Sequence, residues 1–317
     1  MEDDGIKHRI VSVNGVKLHV AEKGEEGRPI VHGYPELWYS WRYQIHGLAA
    51  AGYRAVAPDL RGFGDSEAPP SPASYTIFHL IGDLVALIDL LTKDQVYVVG
   101  QDLGALLVWY MCLFRPDRVK AFVSLSVNFF PRFPTSKKPV QLITEHYVED
   151  HYIARFQDPE MDPHLAGVGI KTVIKLLGIK SGPGVSLLPK EGFTLPPGVE
   201  LPMPSGVSEE DLDYFASKFE KTGFTGGLNY YRALDLSWEL AGPWVGAKVT
   251  VPCKFIVGDM DVTYNTPGCK EYIHGEQFKS DVPSLQEVVV MEDTGHLINQ
   301  DRHDEINAQL IAFFQNY

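Results

Sequence analysis

Val96-Tyr97-Val98-Val99-Gly100-Gln101-Asp102-Leu103-Gly104-Ala105 is the stretch whose reading decides the fold of this chain. Val96 to Val99 is apolar and β-branched, the composition of a buried strand. From Ala105 to Leu113 the residues have helical character. Two glycines flank Asp102 between these elements. A strand that becomes a helix in so few residues strains the backbone of its corner residue, and neighbouring side chains would clash there; glycine avoids the clash. Such a corner presents its side chain at the strand's carboxyl end. Here that side chain is a carboxylate.

Working outward, the chain alternates strands with helices. Residues 9–21 read as a hairpin, with Val16, Leu18 and Val20 alternating with Lys17 and His19 and a turn at Asn14-Gly15. Short strands are expected at 29–31 and 54–58, the second followed by Arg61-Gly62-Phe63-Gly64. Leu80, Leu84, Leu87, Ile88 and Leu91 share one face of a helix over 77–91. Further strands are expected at 121–127, 253–257 and 287–291, with a closing helix at 305–314. This rhythm implies an α/β fold with a mostly parallel sheet flanked by helices. It breaks after about residue 130. Residues 131–231 are rich in aromatics, prolines and loops, and Ser208-Glu209-Glu210-Asp211 resembles a capping box that leads a helix with Leu212, Phe215 and Phe219 inward. The expected organisation is a core of 1–130 and 232–317 with a helical lid inserted at 131–231.

Composition removes several classes of function. The 317 residues are 44% hydrophobic, enough for one large core, and the formal net charge is −13. That charge argues against nucleic acid or an anionic membrane as partner. No run approaches the ~18 apolar residues of a membrane span. The acidic Met1-Glu2-Asp3-Asp4 is no secretory signal, Gln315-Asn316-Tyr317 is no peroxisomal tripeptide, and three cysteines without metal-ligand spacing suit a reducing compartment. A cytoplasmic protein, monomer or homodimer, is expected.

A serine at the corner would suit acyl transfer, but on an alkyl carbon it would leave an ether that water does not readily remove. A carboxylate attacking that carbon leaves an ester, which activated water can hydrolyse. The corner therefore points to epoxides or haloalkanes. The order nucleophile, acid, histidine is completed by Gly258-Asp259-Met260-Asp261 and by Glu292-Asp293-Thr294-Gly295-His296, each after a strand. Ligands of open α/β sheets bind outside the strands' carboxyl ends, where all these residues fall. The elbow geometry offers the backbone N–H groups of Leu103 and Tyr34 as oxyanion donors.

The chain resembles plant soluble epoxide hydrolases of the α/β-hydrolase superfamily along nearly its whole length. The residues that carry the likeness are His32-Gly33-Tyr34-Pro35-Glu36-Leu37-Trp38-Tyr39-Ser40-Trp41-Arg42, Ala57-Pro58-Asp59-Leu60-Arg61-Gly62-Phe63-Gly64-Asp65, Tyr152-Ile153-Ala154-Arg155-Phe156-Gln157, Lys221-Thr222-Gly223-Phe224-Thr225-Gly226 and Asn229-Tyr230-Tyr231-Arg232. The resemblance implies Asp102 as nucleophile, His296 as base, Asp261 in preference to Asp259 as its carboxylate partner, and Tyr152 and Tyr231 as lid donors to the epoxide oxygen. It adds Trp38 to the substrate-binding residues. Tyr230, beside Tyr231, remains open as a donor; Tyr39, Tyr75 and Tyr97 read as packing. A phenol with a pKa near ~10 donates to a developing alkoxide while staying protonated at neutral pH. The implied product is a vicinal diol from a fatty-acid or terpenoid epoxide, with no cofactor and no metal.

Three departures bear on substrate. Gln101-Asp102-Leu103 stands where the family writes His-Asp-Trp, Arg28-Pro29-Ile30-Val31 is a shortened strand, and Thr294 and Leu297 replace alanine and phenylalanine around the histidine. Leu103 removes an aromatic wall and widens the pocket. A haloalkane dehalogenase shares the aspartate corner but commonly uses a Trp beside it for the departing halide, a role Leu103 cannot fill. A non-catalytic ligand-binding member of the fold is the other alternative.

Overall fold

A computed structural model of the protein describes residues 5–24, 37–147, 150–177 and 200–317. The hairpin forms as β1 (Lys7–Val13) and β2 (Val16–Lys23). Asn14 and Gly15 both take positive φ, 47° and 80°, the conformation whose twist matches paired strands. Strand β3 (Ala55–Pro58) pairs antiparallel to β2, giving a three-stranded sheet. The strand expected at 29–31 lies outside the described residues.

The parallel sheet runs β4 (Val96–Gln101), β5 (Val119–Leu125), β6 (Cys253–Gly258) and β7 (Leu285–Met291), in that order. Its near-continuous apolar strands divide their side chains between two cores. On one face Val96, Val98, Phe122, Cys253, Phe255 and Val257 join α2 (Ile77–Leu91) and α3 (Leu103–Phe114), preceded in the chain by α1 (Arg42–Ala50). On the other, Tyr97, Val99, Ala121, Val123 and Ile256 pack with α1 residues Ile45 and Leu48 and with Ile306 and Leu310 near the C-terminus. Residues alternate because successive strand side chains point to opposite faces. Helix α2 spans 77–91 as its periodicity predicts, and Thr76 Oγ1 caps its start.

Between β5 and β6 the described residues contain helices and no strand: α4 (Pro139–His146), α5 (Tyr152–Arg155), α6 (Met161–Val168), α7 (Ile170–Leu177), α8 (Glu209–Thr222), α9 (Thr225–Arg232) and α10 (Leu234–Leu240). The predicted capping box is formed in both directions, Ser208 Oγ accepting from Asp211 N and Asp211 Oδ2 accepting from Ser208 N. Phe156, Leu212, Phe215, Leu228 and Tyr231 share the apolar cluster of α2 and α3, so the insert and the sheet bury one continuous surface. Polar ties fix the register between them. Asp211 also accepts from Tyr39 Oη at 2.9 Å and pairs with Arg42 at 3.0 Å. Tyr230 Oη donates to the Arg61 carbonyl at 2.8 Å, and Arg61 is locked to Asp83 by two hydrogen bonds. Loss of one partner of so buried a pair costs about 3–5 kcal/mol in comparable sites, which makes the Arg61 loop a rigid seat for α9.

After β6 the chain forms α11 (Val262–Asn265), α12 (Cys269–His274) and α13 (Glu276–Asp281), and after β7 it forms α14 (Ile298–Asp301) and α15 (His303–Phe314). The three cysteines are free thiols. No helix among the described residues is long and apolar enough to cross a membrane.

Candidate active site

Asp102 stands at the corner between β4 and α3 with φ 52° and ψ −122°, a conformation that few L-residues adopt. Gly100 is required two residues earlier, since a Cβ there would fall well inside contact distance of the Gly104 carbonyl. Sequence thus builds a strained corner, and the corner holds the carboxylate at the strand's end.

Two further loops converge on it. The loop after β6 carries Asp261, and the loop after β7 carries His296. They meet because Gly258 lies against the Thr294 carbonyl where no side chain would fit, and Met260 N donates to the same carbonyl at 3.0 Å. His296 Nδ1 lies 2.9 Å from Asp261 Oδ1, and His296 Nε2 lies 3.2 Å from Asp102 Oδ2. Asp259 serves the loop and not the imidazole. Its Oδ1 accepts the backbone N–H of Thr294 at 3.2 Å and so tethers the segment that carries the histidine. The Asp102 side chain retains 14% exposure while Asp261 retains 0%, so a small molecule can reach the first and not the second.

The electrostatics follow from this sandwich. Burial alone would disfavour a charged imidazole, but the carboxylates of Asp261 and Asp102 overcome it and hold His296 well above its usual range. Burial also opposes ionisation of Asp261, yet the His296 charge and hydrogen bonds from His296 and Thr263 bring its carboxyl below the usual value. An imidazolium held there donates from both ring nitrogens, Nδ1 to Asp261 and Nε2 to Asp102.

Tyr152 opens α5 and Tyr231 lies in α9. Gln157 Nε2 donates to the carbonyls of both Ile153 and Tyr231, and Arg232 donates to the Phe156 and Asp158 carbonyls, which staples the two helices together. The two phenol rings consequently meet edge to face with centroids 5.9 Å apart. Burial, then the nearby charges of Asp102 and Asp261, push the Tyr152 phenol well above its usual range, so it stays a donor. Tyr230 is occupied with Arg61 and faces away into the core.

Trp38 is anchored at both its ring and its backbone. Its indole N–H donates to Tyr214 Oη at 2.9 Å and its ring packs edge-on to His8 and Tyr39. It belongs to the core cluster on the α1 face, not to the one containing Leu103 and Tyr231. Its backbone N–H is held by Asp59 Oδ1 at 2.9 Å. These contacts fix the Trp38 ring between the hairpin and α8. Tyr34, the second expected oxyanion donor, lies outside the described residues; Leu103 follows Asp102 at the start of α3. His19, Asp59 and Asp65 gather as metal sites do, but Asp59 also accepts from His19 and Asp65 N, and Asp65 pairs with Lys218. That arrangement is already satisfied without an ion.

Comparison with known proteins agrees with this geometry. The family model for the alpha/beta hydrolase fold matches residues 30–152. Epoxide hydrolase 1 of Siraitia grosvenorii is 51% identical over 98% of this chain and 99% of its own. Epoxide hydrolase A of Mycobacterium tuberculosis is 38% identical over 96% of each. The crystal structure of an epoxide hydrolase from Vigna radiata superposes with a TM-score of 0.94 at 54% identity, covering 100% of both chains. The fold is that of an α/β-hydrolase, with a carboxylate at the corner between β4 and α3. The chain belongs to the epoxide hydrolase family.

Proposed function

We propose that this protein hydrolyses a lipophilic epoxide to a vicinal diol through an ester on Asp102. The observation that carries the reading is His296 bonded to Asp261 on one nitrogen and to Asp102 on the other. Residues 131–231 act as a lid over a core of 1–130 and 232–317. Asp102 attacks a ring carbon, the C–O bond breaks, and the negative charge on oxygen is met by Tyr152 and Tyr231 as preorganised donors. The alkoxide takes up a proton, drawn ultimately from the His296 imidazolium, and the neutral imidazole is left. His296 then takes a proton from water as that water attacks the Asp102 ester carbonyl. The resulting oxyanion meets the backbone N–H of Leu103 and, as the family pattern implies, that of Tyr34. Its collapse frees the diol, and the site returns with Asp102 ionised and His296 protonated. The side chains named here carry every proton and bond change of the cycle.

The substrate is a lipophilic epoxide, of the fatty-acid or terpenoid kind. Leu103, Phe156, Leu228, Tyr231 and Leu297 belong to one apolar cluster, and Leu103 leaves more room than the family's tryptophan. A cytoplasmic location and a monomeric or homodimeric state belong to the same proposal, supported by the acidic composition.

A single turnover in heavy-oxygen water tests the covalent step. The expected result is an unlabelled diol with label in the Asp102 carboxyl group. Label appearing directly in the diol, with none in the protein, contradicts an ester.

The pH dependence follows from the charges. In the free enzyme two carboxylates hold the His296 proton; in the ester one of them is neutral. His296 therefore has a lower pKa in the ester than in the free enzyme. Ester hydrolysis needs the neutral imidazole, so its rate is expected to rise with pH through a midpoint below the free-enzyme His296 titration seen by nuclear magnetic resonance. Coincident midpoints contradict the sequence of protonation states.

A further inference from the structure

His296 is held at its backbone as well as at its ring. Its carbonyl accepts from Gln101 Nε2 at 3.0 Å and from Ser126 Oγ at 3.1 Å. Gln101 is fully buried at the end of β4, next to Asp102, and Ser126 follows the last residue of β5. Ser126 takes φ 70°, a costly conformation for a residue with a side chain. Its own carbonyl accepts from Thr263 Oγ1 at 2.7 Å, and the same Oγ1 lies 2.8 Å from Asp261 Oδ1. Thr263 N donates to that carboxylate oxygen at 2.8 Å as well.

The single proton of the Thr263 hydroxyl goes to the Ser126 carbonyl and the Thr263 N–H goes to Asp261, so the bonds close a ring. It runs from the His296 carbonyl to Ser126, through Thr263 to Asp261, and back to His296 Nδ1. Each of the loops after β5, β6 and β7 contributes a member, and Gln101 ties the ring to the elbow. We propose that Thr263 and Ser126, with Gln101, are positioning residues that fix the plane and depth of the His296 imidazole for the ester-hydrolysis step. The inference rests on the hydrolytic reading above. It separates two halves of the reaction: attack by Asp102 depends on the elbow and the tyrosines, whereas proton removal from water depends on where His296 Nε2 points. Misplacement of a catalytic group by about 1 Å can cost roughly 100-fold, so loss of one link is expected to slow hydrolysis by about 10- to 100-fold. A strained Ser126 persists only because the surrounding bonds over-determine it. Gln101 keeps its link at every pH because an amide does not titrate in this range.

The test uses the whole enzyme, rapid mixing with trans-stilbene oxide, and intact mass to follow the Asp102 ester. In Thr263→Val the ester is expected to form at near the wild-type rate and to decay about 10- to 100-fold more slowly, so that it accumulates. Thr263→Ser recovers most of that loss. Ser126→Gly suits the left-handed backbone, so it folds, yet it lacks the hydroxyl and should also hydrolyse its ester slowly. Equal slowing of both steps, or wild-type decay in Thr263→Val and Ser126→Gly alike, overturns the proposal. The His296 Nδ1–H proton resonance of the free enzyme gives a readout independent of substrate. It is expected to move in Thr263→Val and return in Thr263→Ser. If neither wild-type nor His296→Gln protein forms an ester, the hydrolytic reading fails and this resonance alone decides the ring; an unmoved resonance refutes the ring whatever the chemistry.

Discussion

Asp102→Asn is expected to abolish diol formation from trans-stilbene oxide or an epoxystearate, lowering kcat by about 10⁴-fold or more. The substitution is nearly isosteric, so the corner at φ 52° and the close approach of Gly100 to Gly104 are kept. What disappears is the nucleophile. A neutral amide oxygen does not open a strained ether at a useful rate, and His296 and Asp261 are not placed to replace it. His296 Nε2 also loses the ionised partner 3.2 Å away. Binding should survive, because the apolar cluster that includes Leu103 and Tyr231 is untouched. The check is product formation by chromatography beside a thermal unfolding curve that matches wild type. Diol formation within tenfold of wild type would place the nucleophile elsewhere and favour a ligand-binding role for this fold.

The second large effect separates the half-reactions. His296→Gln leaves Asp102 and the tyrosines in place and removes the group positioned to take a proton from water. The ester should form, the alkoxide now taking its proton from water, and then persist, its hydrolysis slowed by about 10²- to 10⁴-fold, the usual scale of general-base catalysis. Intact-mass measurement should show the protein heavier by the mass of one epoxide. Protein that stays at its native mass under saturating substrate would sink the two-step mechanism. Removing Asp261 instead should act more mildly on attack than on hydrolysis, since Asp261 touches His296 and not the reacting carbon.

Much of the core was legible in the chain. Helix α2 runs 77–91 as its apolar spacing requires, because a heptad-like stripe with a capping Thr76 has one good helical solution. The hairpin turns at Asn14-Gly15 because that pair tolerates two positive φ values. Strands β4, β5, β6 and β7 fall where their apolar runs stand. The starts of β4 and β6 and the end of β7 coincide, and the other edges shift by one to two residues because ladders extend as far as a partner strand allows. The helical character of the insert was legible too, through the Ser208 capping box.

Other readings needed three dimensions. Trp38 sits within a family motif, but only the fold shows that its indole is bonded to Tyr214, 176 residues later in the chain. Asp259 and Asp261 are equivalent in any pattern of residue types; their roles diverge because one faces the Thr294 N–H and the other the imidazole. Tyr230 and Tyr231 are adjacent, and the rotation between successive helical residues sends one to Arg61 and the other to Tyr152. Ser126 and Thr263 carried no signal in the sequence, because a hydroxyl reveals its partner only after folding.

The chain by itself determined the strand–corner–helix, the carboxylate on it and the order of the residues that follow, since those depend on backbone strain and short-range periodicity. The tertiary structure decided which carboxylate meets the histidine, which tyrosine packs against Tyr152, and how three loops hold one imidazole. Hydrogen bonds reach about 3 Å, and only the packed sheet brings residues so distant in sequence within that range.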